Sequence, residues 1–114
     1  MQQYAVQRRF DRHVLSVPLE VRRKPPHAPA PVPGLTMEIS ESGFSAMLSD
    51  ALEVGETVTA MFEVPAAGRV SIDAVVRNKN LFRYGFELTG SDGQARGAMK
   101  QACESLPLYE GGWY

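Results

Sequence analysis

The chain has 114 residues, 44% of them hydrophobic and 22% charged, with one cysteine and a formal net charge of −1. That length suits one domain able to bury a core of its own, and a single cysteine excludes an internal disulfide. A net charge near zero excludes a global field that would draw the protein to DNA, RNA or an anionic membrane.

No run approaches the ~18 apolar residues of a membrane span, and Met1 to Phe10 lack the apolar stretch of a signal peptide. The expectation is a cytoplasmic domain without membrane insertion. The charge is uneven, however. Arg8, Arg9, Arg12, Arg22, Arg23 and Lys24 place half of the twelve Lys and Arg residues in the first 24, against only Asp11 and Glu20. A local basic patch on a neutral chain suits a small anion better than a polyanion, which needs many phosphate contacts.

In chain order, the first segment is an arginine arm over residues 1–13, holding Arg8-Arg9-Phe10-Asp11-Arg12. A guanidinium fork donates two parallel hydrogen bonds to guanine O6 and N7, or to two phosphate oxygens. Taken alone, the cluster reads first as a solvated basic terminus. Val17 to Val21 then alternates apolar and polar residues, the period of a half-buried strand, with Pro18 marking an edge or an irregular start.

Lys24 to Gly34 contains five prolines and reads as an extended loop, in polyproline II geometry, that stays out of the sheet. Leu35 to Ser40 alternates again. Leu35, Met37 and Ile39 are expected inward, and Thr36, Glu38 and Ser40 outward. An outward Glu38 would tolerate shortening to Asp within ~0.5 kcal/mol. Gly43 falls at the chain reversal, where a positive φ favours glycine.

Four further strands follow at Phe44 to Leu48, Val58 to Val64, Val70 to Val76 and Tyr84 to Leu88, and Asn78-Lys79-Asn80 reads as a turn. Ser91-Asp92 is positioned to cap a final helix, with Ala95, Ala98, Met99, Ala102 and Leu106 along one apolar stripe. Six short strands and a helix define an all-β fold, a small antiparallel barrel or sandwich with a C-terminal helix. The domain is expected over residues 14–106, followed by a short tail over 107–114.

No Ser, His and acid set suggests a nucleophile, and His13 and His27 have no companions at metal-ligand spacing. The reading is therefore a non-enzyme with no metal and no cofactor. Cys103 reads as a small buried hydrophobe, and Asp73 as an outward residue without a special partner.

The order of the two polar clusters resembles the PilZ domain, the bacterial receptor module for cyclic di-GMP. That family carries Arg-x-x-x-Arg before its barrel and [Asp/Asn]-x-Ser-x-x-Gly on the next strand and turn. Arg8 and Arg12 match the first element, and Ser40 and Gly43 match the second. Glu38 stands where the family has Asp or Asn, one methylene longer. Leu52 to Glu56 is similar to the family's lead-in to its next strand. Val75-Val76-Arg77 with Arg83 to Leu88 is similar to its closing hairpin, so the resemblance runs from about Gln7 to Leu106.

The resemblance implies a six-stranded antiparallel PilZ-type split β-barrel with a C-terminal helix. It implies cyclic di-GMP, often as an intercalated dimer, held between the arm and the outer barrel face. Arg8 and Arg12 would grip guanine edges and phosphates, with Arg9 auxiliary. Glu38 and Ser40 would bond the ligand, and Gly43 would keep the turn open. The arm would order on binding and change the surface offered to an unidentified protein partner. Two rival readings are a PilZ-like adaptor that has lost the nucleotide, favoured by Glu38, and a barrel that binds single-stranded nucleic acid, opposed by the net charge and by few outward aromatics.

Overall fold

Alternation along the strands closes the sheet on itself. The computed structural model describes residues 11–27, 30–65, 67–89 and 93–108. Its elements are β1 (His13–Val14), β2 (Pro18–Arg23), β3 (Val32–Ile39), β4 (Gly43–Leu48), β5 (Thr57–Val64), β6 (Gly68–Asn80), β7 (Arg83–Leu88) and α1 (Gly93–Glu104). The strand order β3-β2-β5-β6-β7-β4, with β4 returning to β3, is a closed six-stranded antiparallel barrel. Closure leaves no free edge among these six. The two-residue β1 adds to the end of β3, His13 opposite Ile39 and Val14 opposite Glu38.

The inward row shows why these residues form strands. On β5, Val58, Ala60, Phe62 and Val64 are buried, while Thr57 and Glu63 are exposed. β6 repeats the pattern with Val70, Ile72, Ala74 and Val76. Each fully buried Val, Ile or Phe contributes roughly 1.5–3 kcal/mol. α1 packs against β5 and β6 and adds Ala95, Met99, Ala102 and Cys103 to the same core cluster. Residues 91 and 92, expected as its cap, lie outside the described residues, as do 109–114.

Three local expectations are overturned. Pro33 and Gly34 belong to β3, with Glu20 opposite Pro33, so the proline-rich segment does join the sheet at its end. Asn78-Lys79-Asn80 is part of β6, and the turn comes at Leu81 and Phe82, with Leu81 at a φ of 59°. A register shift between Val76 and Asn78 carries β6 further than its hydrophobic run. Asp73 is outward, but it accepts a hydrogen bond from Thr59 Oγ1 at 2.8 Å and lies 3.8 Å from Lys24 Nζ.

The fourth correction bears on function. A register shift also falls between Thr36 and Glu38 on β3. One extra residue there breaks the period of two. Thr36 turns into the barrel, and Leu35 becomes exposed instead of buried. The Thr36 hydroxyl donates to the Leu15 carbonyl and accepts from the Val17 amide at 2.9 Å. It thereby fixes the segment that joins the arm to β2.

Candidate functional site

The shift on β3 leaves Ile39 in the core and Glu38 on the outer side of the barrel wall. Glu38 is nevertheless only 1% exposed. Arg12 Nη1 donates to its Oε1, and Arg83 Nη2 donates to its Oε2 at 3.0 Å. The two guanidinium groups cover the carboxylate and remain about one-third exposed themselves, at 33% and 38%. A carboxylate this buried requires such partners, because desolvating an unpaired charge costs several kcal/mol. The expectation of a solvated Glu38 is thus corrected.

An open cleft of about 290 Å³ surrounds this bridge on the outer face of β3, β4, β6 and β7. Arg12, Arg77 and Arg83 line it with Glu38 and Glu87, three cations against two carboxylates, leaving one unit of positive charge. Arg77 Nε donates to Glu87 Oε1 at 2.6 Å across the rim. Ser40 and Ser42 close one end. The Ser40 amide donates to the Gly43 carbonyl at 2.8 Å, and its hydroxyl accepts from the Ser42 amide at 3.2 Å.

Gly43 is required for a reason other than the one expected. It is not among the positive-φ glycines, which are Gly55 and Gly68 in the described residues. A Cβ on Gly43 would stand 2.1 Å from the backbone oxygen of Phe86. The bare backbone lets β4 approach β7 there, and behind it Phe44 stacks on Phe86 with centroids 4.7 Å apart. The aromatic stack fixes the wall, and the glycine lets the wall close.

Of the six site residues expected from sequence, the structure gathers Arg12, Glu38, Ser40 and Gly43 in one cleft. Arg8 and Arg9 lie outside the described residues. The described members of the basic run are dispersed. Arg23 donates to Glu56 through Nε at 2.5 Å and Nη2 at 2.9 Å, so it serves a structural pair between β2 and the loop before β5. This pairing holds the Glu56 carboxyl below its usual range. Arg77, Arg83 and Asn78 were missed because no local pattern marks them. They reach the cleft only through the β6–β7 pairing.

Among the described residues, no group of three or more His, Cys, Asp or Glu is placed to share a metal ion. No helix there is long and apolar enough to cross a membrane.

A closed six-stranded antiparallel barrel with a C-terminal helix thus carries a polar, arginine-lined cleft on its outer face. The chain belongs to the PilZ domain family, whose model matches residues 6–105. Among solved structures, it is similar to the PilZ domain of YcgR from Escherichia coli with c-di-GMP, at TM-score 0.71 and 14% identity, covering 88% of this chain and 91% of that one. It is also similar to the PilZ domain of CeSA from a cellulose-synthesizing bacterium, at TM-score 0.62 and 19% identity, covering 77% and 89%. A third likeness is to the Bacillus subtilis inhibitor of motility MotI/DgrA, at TM-score 0.69 and 16% identity, where 91% of this chain spans 51% of that one. Identities this low speak for the fold alone. No curated protein sequence matches the chain.

Proposed function

We propose that this domain is a non-enzymatic, cytoplasmic receptor for cyclic di-GMP, with Arg8, Arg9, Arg12, Glu38, Ser40 and Gly43 as its motif residues. The observation that carries the reading is the convergence of Arg12, Glu38 and Ser40 in one cleft with a positive surplus, in a chain of the PilZ family. β1 brings Arg12 there by pairing on the end of β3.

Binding is then an exchange of anions. Glu38 occupies the Arg12 guanidinium. An incoming ligand offers phosphate oxygens or guanine O6 and N7 to the same fork, and a bidentate contact of this kind contributes about 1–3 kcal/mol. The cleft, at about 290 Å³, is at the lower end of pockets that enclose even a small ligand. The barrel face therefore supports a dinucleotide without enclosing it, and the arm over residues 1–13 supplies the other wall. Ordering of that arm around the ligand changes the surface presented to a protein partner.

A second reading, that of a PilZ-like adaptor that does not bind the nucleotide, is favoured by one feature. Glu38 is buried beneath Arg12 and Arg83, so its carboxylate offers little surface to guanine N–H groups. Titration calorimetry separates the two. The receptor reading expects a dissociation constant of about 1 μM or tighter, near −8 kcal/mol. Absence of heat in the wild type, with binding gained in Glu38→Asn, would mark a lapsed receptor and favour the adaptor.

A further inference from the structure

Ser45 has a hydroxyl for which the barrel supplies no partner. The residue is 7% exposed, and among the described residues its Oγ is the buried side-chain polar atom without a hydrogen bond. Buried hydroxyls are rarely left so, and this one lines a cleft, where it is available to bond a ligand. Ser45 sits on β4 between Glu38 of β3 and Gly85 of β7 in register, so it occupies the middle of the cleft wall.

The next positions along that row are also polar. Gly85 carries no side chain, and Asn78, opposite it on β6, folds its carboxamide across the gap; a Cβ on Gly85 would lie 2.6 Å from Asn78 Oδ1. Arg83 is two residues before Gly85 on the same face of β7. Its guanidinium reaches Glu38 at 3.0 Å and keeps a third of its surface free. Ser45, Asn78 and Arg83 all line the cleft. None of them lies in the two clusters that identify the site from sequence.

We infer that Ser45, Asn78 and Arg83 form a barrel-side subsite, opposite Arg12, for the face of a cyclic dinucleotide turned toward the wall. This rests on the receptor reading above. Before the exchange Glu38 holds the two guanidinium groups either side of a single carboxylate, and after it Arg83 stays on Glu38. Arg83 presents a fork that matches guanine O6 and N7 or two phosphate oxygens. The Ser45 hydroxyl and the Asn78 carboxamide each donate and accept, so they complement the mixed edge of a base.

The test is calorimetry of the full chain with cyclic di-GMP, using Ser45→Ala, Arg83→Lys and the wild type. Ser45→Ala removes a hydroxyl that bonds nothing in the fold, so its Tm stays unchanged or rises while its affinity falls. Arg83→Lys keeps a cation on Glu38 and loses the fork. Each variant is expected to bind roughly 5- to 150-fold more weakly. Cyclic di-AMP, which keeps both phosphates and lacks O6, locates the Arg83 contact. Equal losses for both ligands place it on phosphate, and a loss confined to cyclic di-GMP places it on guanine. Wild-type affinity in both variants overturns the subsite and leaves the receptor reading standing. A wild type that binds nothing removes that reading and the subsite together.

Discussion

Glu38 on β3 and Arg83 on β7 stand 45 residues apart in sequence and meet at 3.0 Å, while the other oxygen of the same carboxylate holds Arg12. The bridge joins the arm, the motif strand and the closing hairpin. Its geometry depends on side-chain length. Shortening Glu38 to Asp draws the carboxylate back by about 1.5 Å, so it cannot span both guanidinium groups.

Glu38→Asp is therefore expected to lower stability by about 1–2 kcal/mol, well beyond the ~0.5 kcal/mol typical of surface sites. Urea denaturation at neutral pH measures this directly. A variant as stable as the wild type would mean that the bridge is loose in solution.

Two glycines separate steric need from helix propensity. Gly43→Ala sets a Cβ against the Phe86 backbone oxygen, which cannot move without parting β4 from β7. The expected cost is at least ~2 kcal/mol, by enforced strain in a packed region. Gly97 is exposed inside α1, and beyond the backbone of its own helix nothing lies within 4 Å of a built Cβ. Gly97→Ala is expected to stabilise by about 0.5–1 kcal/mol through lower unfolded-state entropy. Paired melts that place both variants on the same side of the wild type would contradict this account.

Acid stability tests the Arg23–Glu56 pair. Two N–H bonds from Arg23 lower the Glu56 carboxyl below its ordinary 4.5, against a smaller opposing effect of burial. The folded state thus binds the proton more weakly than the unfolded state. The contribution is fully present above about 4.5 and is lost as pH falls through the depressed value. Glu56→Gln is expected to lower stability at neutral pH and to flatten the decline below 4.5. An acid slope identical to the wild type's would assign that decline to other carboxylates.

Cys103 provides a probe of opening. Burial, with a lesser contribution from Glu41, raises its thiol to about 11, and its Sγ faces the Ile39 carbonyl at 3.9 Å. Thiolate is the reactive form. Alkylation of the native protein near neutral pH is expected to be slow and to accelerate in urea in step with unfolding. Rapid alkylation without denaturant would show that α1 detaches readily.

The barrel was legible because its strands carry the signal locally. The period of two on β5 and the first half of β6 identifies both the element and its inner face. The helix was legible from the spacing of Ala95, Met99 and Ala102. What failed were features set across strands. The shift between Thr36 and Glu38 reversed Leu35 and Thr36, and nothing in Leu35 to Ser40 announces it. Pro33 and Lys79 entered strands because their neighbours, β2 and β7, continue past the hydrophobic run. The site divided in the same way. Arg12, Ser40 and Gly43 came from motif order, whereas Ser45, Asn78 and Arg83 are unremarkable until the barrel closes.

The exchange of Arg12 from Glu38 to an incoming anion is the central claim. Calorimetric titration of the wild type and Arg12→Ala with cyclic di-GMP, alongside their thermal melts, tests it most directly. The wild type should bind at about 1 μM or tighter, and Arg12→Ala roughly 5- to 150-fold more weakly while remaining folded, with Arg83 still paired to Glu38. A folded Arg12→Ala variant that binds as the wild type does would contradict the account.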